Sequence, residues 1–303
     1  MISLKNIESP ILFRGNDRTA YRDPAVLYEK GIFHLFFTLV ETEEDGEVYL
    51  YMAKSKSTDL VNWEEPVKLT PRDQRLNFSS PGNVISFQGK WLLCLQTYCR
   101  ENGEKYGNDR CRIYVMESED LEHFSKPRML MLKGDTREEE LGRMIDPYLL
   151  EDKANPGKWW CFYKQNGVSM SYSYDMEHWT YAGHTKAGEN VCVIFHNGKY
   201  YMFHSPQNGI GLLESEDCQN WKDTGELFTL GQKEWDWARG RITAGVVVDI
   251  SGIASEPEKW LMFFHGSGPE DESTMFDQYA SIGLAWSHDL KTWDWSGKII
   301  GKG

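Results

Sequence analysis

Three acidic residues stand at the heads of apolar runs that otherwise look alike. They are Asp23 in Tyr21-Arg22-Asp23-Pro24, Asp146 in Met144-Ile145-Asp146-Pro147, and Glu189 in Gly188-Glu189-Asn190-Val191. Carboxyl groups in company suit glycosidic cleavage, where one protonates the leaving oxygen and another, about 6.5 to 9.5 Å away for inversion, activates water on the opposite face. Burying three like charges together is costly unless they are used or neutralised, so a shared location would mark a functional site. Taken singly, each acid is equally well a turn residue or a strand-end cap. The elements that carry them must decide.

Those elements repeat. A Ser, any residue, an Asp, and then Trp or Phe four positions beyond the Asp recur at Ser57–Trp63, Ser118–Phe124, Ser173–Trp179, Ser215–Trp221 and Ser287–Trp293. The spacing is that of one four-stranded blade plus variable loops. Between the copies lie paired strand signals, such as PAVLYEKGIFHLFFT and NVCVIFHNGKYYMFHS, in which a Gly turn joins β-branched and aromatic runs. A third run leads into each Ser-x-Asp copy, and a short strand after the aromatic completes four. Helical 3.6-residue periodicity is absent. The pattern predicts an all-β, single-domain five-bladed β-propeller over residues 1–303, with four antiparallel strands per blade. Residues present in every blade do a job every blade has, so the repeated Asp and Trp are assigned to turns and inter-sheet packing.

In such a ring the first strand of each blade runs along the central channel, and differences between blades at its head are where chemistry belongs. Alignment brings Asp23, Asp146 and Glu189 to the axis from blades one, three and four. Blade two contributes Ser79-Ser80-Pro81-Gly82-Asn83, and blade five Arg239-Gly240-Arg241-Ile242-Thr243. Arg22, Ser80, Asn83, Arg239 and Arg241 are therefore candidates for binding substrate. Trp237, with Trp235, offers a stacking platform for a sugar ring, with packing in a β-rich core as the competing reading.

A formal charge of −13, from 46 acidic against 33 basic residues, repels phosphate backbones and anionic headgroups. It argues against nucleic acid or membrane partners and leaves a glycoside or oligosaccharide as the expected one. Six cysteines without CxxC spacing sit mostly in strand-like runs and read as reduced and buried. With no signal-like apolar stretch at the start of the chain, a cytoplasmic location is expected, or a secreted or periplasmic one if a leader has been removed.

The two Asp-Pro openings and the Glu at the head of blade four resemble glycoside hydrolase family 43 and its clan of five-bladed propeller glycosidases, with families 32, 62, 68 and 117 as relatives. The resemblance runs from about Arg22 to Trp295. It implies that Asp23 is the general base, that Glu189 is the general acid, and that Asp146 raises and orients Glu189. It also implies an arabinofuranoside or xyloside-type plant or algal oligosaccharide as substrate and an inverting course. Glu189 sits one position earlier than Asp23 relative to its strand, as the family's Glu does. Asn190-Val191 replaces the usual Gly-Pro, and Ser80-Pro81 a common Trp-Ala-Pro, which bears on the sugar subsite. Arg241 or Arg239 resembles the family's axial arginine. His265 resembles a histidine that in some members lies near an axial calcium or water-liganded ion, so a structural Ca2+ at the axis is the one metal to test, and no cofactor is expected to be required. Competing readings are a propeller phosphorylase, a retaining fructosidase-like enzyme, which would show Asn-Asp-Pro-Asn-Gly and Glu-Cys, and a catalytically silent carbohydrate-binding propeller.

Overall fold

The computed structural model describes residues 1–80 and 82–298, so Pro81 of the blade-two segment lies outside the described residues. Five antiparallel sheets follow one another along the chain. Blade one holds Thr19–Glu29, Ile32–Thr42, Val48–Ser57 and Val67–Lys68, and blade two Val84–Phe87, Lys90–Gln96, Ile113–Ser118 and Arg128–Met129. Blade three holds Ile145–Glu151, Trp159–Lys164, Val168–Ser173 and Thr180–Thr185, and blade four Glu189–His196, Lys199–Ser205, Ile210–Ser215 and Lys222–Phe228. Blade five is built on Arg241–Asp249, Trp260–Ser267, Ser281–Ser287 and Trp293–Asp294. The first strands of neighbouring blades touch all the way round, which makes them the inner ring of a five-bladed β-propeller.

Closure uses a strand the repeats do not reveal. Ile11–Phe13, ahead of blade one, pairs with Ser281–Ser287, so blade five carries segments from both ends of the chain. The two ends of the chain are thereby hydrogen-bonded within one blade, on the outer side of its third strand.

Second strands explain the aromatic-rich runs. Trp260–Ser267 is buried along its whole length and Ile32–Thr42 along most of it, because each lies in mid-blade with another blade against either face. The Ser-x-Asp repeats are turns, as the sequence predicts. In each, the Asp Oδ1 accepts two backbone N–H bonds, as Asp217 does from Gln219 and Asn220 at 2.9 and 2.8 Å. The residue after the Asp takes a positive φ of 62 to 67° in all five copies. The aromatic that follows packs on the preceding blade: Phe124 on Phe36, Trp221 on Phe162, Trp293 on Phe203, and Trp63 on Phe263 across the closure. Edge-to-face aromatic contact thus recurs from blade to blade. All six cysteines are free and buried.

Candidate active site

Four of the five first strands, those of blades one, three, four and five, are broken near the head by a bulge. The register shifts after Arg22, Ile145, Glu189 and Thr243, and the next residue, Asp23, Asp146, Asn190 or Ala244, has a φ of 50 to 56°. Asp and Asn tolerate this left-handed conformation better than most residues, whereas Ala244 carries its strain outright. The bulge re-aims the side chains at the axis. It also explains why Glu189 stands one position before the Asp of the other two blades. Gly188 is required just before it, since a Cβ there would collide with the Ser205 carbonyl.

A bulge leaves a backbone N–H without a ladder partner, and the preceding blade supplies one. Asp23 N–H donates to His265 Nδ1 at 3.0 Å, Ser80 N–H to Thr38 Oγ1 at 3.1 Å, Asp146 N–H to Gln96 Oε1 at 2.5 Å, and Ala244 N–H to Ser205 Oγ at 2.8 Å. These four acceptors occupy one equivalent place, the second-strand residue opposite the strand head. The fifth residue at that place is Lys164, opposite Ile145, and an ammonium cannot accept. Asn190 N–H turns to Asp146 Oδ2 at 3.3 Å instead, and the lysine is released to form an ion pair with Glu189. The symmetry of the ring therefore fails at one junction, between blades three and four.

Asp23, Asp146 and Glu189 line one cavity of about 1070 Å3. Asp23 has the Thr38 hydroxyl 3.3 Å from Oδ2 and Arg22 Nε at 4.0 Å. Asp146 is buried, and its carboxylate receives the Asn190 amide at 3.1 and 3.3 Å when that amide turns its nitrogen inward. Burial pushes the Asp146 carboxyl up to about 6, with Lys164 opposing the shift and Asp23 adding to it. Glu189 lies between two cations, Lys164 and Arg241, the latter at 2.9 Å. Lys164 is itself lowered by burial, against the pull of Asp146.

A fourth acid organises the cations. Glu272, on the loop after Trp260–Ser267, is buried and bonded to Arg22 at 2.8 Å, Arg241 at 2.8 Å, Ser267 at 3.0 Å and His265 Nε2 at 3.2 Å. Burial opposes its ionisation, but Arg22, His265 and Arg241 outweigh it and hold the carboxyl far below the usual range. Because His265 Nδ1 accepts from Asp23 N–H, its Nε2 carries the proton given to Glu272.

Arg22, Arg241 and Ser80, the substrate-binding candidates of blades one, five and two, line the cavity. Asn83 does not, since both ends of its amide bond the Leu149 backbone at 2.8 Å, joining blades two and three. Arg239 is exposed and outside the cavity lining. Trp237 is also a correction: it stacks on Trp235 at 5.0 Å and on Phe264 at 6.0 Å in the core, where burial of aromatic area outweighs display to a ligand. The aromatic wall of the cavity is instead Tyr98, Tyr106 and Phe276, with Tyr106 edge-on to Phe276 at 4.9 Å. His265 has both nitrogens engaged, and among the described residues no group of three or more His, Cys, Asp or Glu could hold a metal. The side chains present thus do not suit a calcium ligated by His265.

The family model for glycosyl hydrolases family 43 matches residues 17–189, more than half of the chain. The chain belongs to glycosyl hydrolases family 43. This family 43 protein is a glycosidase, and its substrate is a carbohydrate. Solved structures share its fold at low identity. A thermostable family-43 glycoside hydrolase superposes with a TM-score of 0.64 at 17% identity, covering 98% of both chains. The catalytic domain of a Coprinopsis cinerea family 62 α-L-arabinofuranosidase gives 0.65 at 14%, covering 90% of this chain and 96% of that one. An exo-1,5-α-L-arabinanase from a bovine ruminal metagenomic library gives 0.59 at 14%, covering 88% and 93%. No curated protein matches this family 43 sequence significantly.

Proposed function

We propose that this glycosidase inverts the anomeric centre of an arabinofuranoside or xyloside unit in a plant or algal oligosaccharide. Asp23 acts as general base and Glu189 as general acid. The observation that carries the reading is the convergence of Asp23, Asp146 and Glu189, from three blades, on a single cavity. Asp23 takes a proton from water as the water oxygen attacks the anomeric carbon. Glu189 gives its proton to the departing oxygen as the glycosidic bond breaks. Exchange with solvent then restores both groups. Arabinan and arabinofuranoside specificities among structures of the same fold support the sugar class.

Glu189 is paired with Lys164 and Arg241, whereas a general acid must hold a proton. The leaving-group oxygen has to take the place of Lys164, whose ammonium then turns toward the charge of Asp146. Asp146 serves this step in two ways: its Oδ2 holds the Asn190 N–H, the amide next to Glu189, and its charge draws Lys164 away. Arg22 and Arg241 are both engaged by Glu272, which disfavours a phosphate cluster built on them.

A panel of aryl glycosides tests the reading together with Glu189→Gln. Turnover of an α-L-arabinofuranoside or β-D-xyloside is expected, and the variant should lose about 100-fold or more on poor leaving groups and much less on activated ones. Equal losses on both kinds would remove Glu189 from the acid role. Unchanged binding with no turnover in the parent would favour a silent binding propeller.

A further inference from the structure

A second cavity of about 620 Å3 shares Arg143, Lys164, Glu189 and Arg241 with the first. Its charged lining is three cations against the single acid Glu189, in a chain whose net charge is −13. The remainder is neutral, with Gln165, Asn166, Ser205 and Gln207 among the polar groups. Lys164 and Arg241 are paired with Glu189, but Arg143 has no ion-pair partner among the described residues. Its one side-chain hydrogen bond is to the Tyr98 hydroxyl at 3.5 Å, the limit for such a bond. Its Nε is shut off from solvent without an acceptor, and the nearby Gln165 Oε1 is shut off without a donor.

A half-buried guanidinium with unused donors is unfavourable on its own and ready for an anion. Arg143 stands three residues ahead of Asp146, beside the junction where the ring symmetry fails and Lys164 is freed. A planar guanidinium matches a carboxylate in two parallel N–H···O bonds. A uronic acid offers such a carboxylate on the same ring that hydroxyls and an aromatic wall would hold.

We propose that Arg143, flanked by Lys164, is a subsite for a carboxylate carried by the sugar chain, so that the favoured substrate is a uronate-bearing oligosaccharide. The proposal rests on the glycosidase reading and narrows its substrate. Inorganic phosphate shares the charge, and the test separates the two.

Binding of methyl β-D-glucuronoside, methyl β-D-galacturonoside, the corresponding neutral methyl hexosides and inorganic phosphate to the full chain is measured by calorimetry and ligand-observed NMR. The uronides differ from the neutral ligands by a carboxylate in place of a hydroxymethyl group. About tenfold tighter binding of a uronide is expected, falling as salt is raised. Arg143→Gln should abolish the preference, and Arg143→Lys should keep part of it. Equal affinity for charged and neutral ligands, a preference that survives Arg143→Gln, or binding of phosphate without uronide would each overturn the proposal. If Arg143→Gln does not fold, the parent's uronide preference and its salt dependence still decide. The readout needs no turnover, so failure of the hydrolysis assays would count against the glycosidase roles and leave this result standing.

Discussion

Glu272→Gln removes one charge from the most connected acid of the site. Its side chain is only 8% exposed, and it meets Arg22, Arg241, His265 and Ser267 at 2.8 to 3.2 Å. Removing one partner of a buried pair costs about 3 to 5 kcal/mol, because the other charge is left uncompensated. Gln keeps the shape and one acceptor, which places the loss near 3 kcal/mol. At roughly 2 °C per kcal/mol for a chain of this size, the melting temperature should fall by about 6 °C. The pH dependence gives the sharper test. The folded pKa of Glu272 lies below its unfolded value, so its stabilisation is fully present above the unfolded pKa and is lost as pH falls toward the folded one. Thermal unfolding followed by circular dichroism from pH 8 to pH 3 should show a constant gap between parent and variant down to about pH 5, then a shrinking one. Other carboxylates titrate in both proteins and cancel. A gap below about 1 kcal/mol at neutral pH, or one that widens in acid, would refute the assignment of Glu272 as the ionised anchor of Arg22 and Arg241.

Asp146→Asn should lose turnover yet gain stability at neutral pH. The raised pKa of Asp146, about 6, means that its contribution is present below the unfolded pKa and lost as pH rises through 6. Asn stays neutral, so thermal melts should favour the variant at pH 7.5 by up to roughly 2 to 3 kcal/mol and show little difference at pH 4. Lys164→Met removes a cation from Glu189 and so favours its protonated form. The alkaline limb of the kcat/KM profile should move up by about one pH unit, and a downward move would contradict the acid role.

Much of this architecture could be read from residues because it is periodic. Ser-x-Asp turns, Gly-linked strand pairs and the aromatic plates are set by local chemistry repeated in each blade, and the structure shows them in the places expected. The closing strand Ile11–Phe13 has no repeat partner and too few residues to carry a pattern, so only the pairing reveals it. In the site, the first-strand heads were legible, including the one-residue offset of Glu189 that the bulge explains. The second-strand residues Thr38, Gln96, Lys164, Ser205 and His265 were equally available, since each closes an aromatic-rich run. Aligning those ends would have singled out Lys164 as the residue unable to accept. Glu272, Phe276 and Tyr106 lie on the loops joining second to third strand in blades five and two, and loop conformation has no periodic signal. Trp237 and Asn83 were misplaced for a different reason: ring stacking and amide bonding serve a core as readily as a ligand, and residue type alone does not separate the two.

The inverting assignment of Asp23 and Glu189 is tested most directly by following the first product with proton NMR before mutarotation, using an aryl α-L-arabinofuranoside or β-D-xyloside that the protein cleaves. The sugar should appear first as the anomer opposite to that of the substrate, and Asp23→Asn should abolish its formation. A first product of unchanged configuration would show that a carboxylate attacks the sugar itself, and would contradict the roles given to both residues.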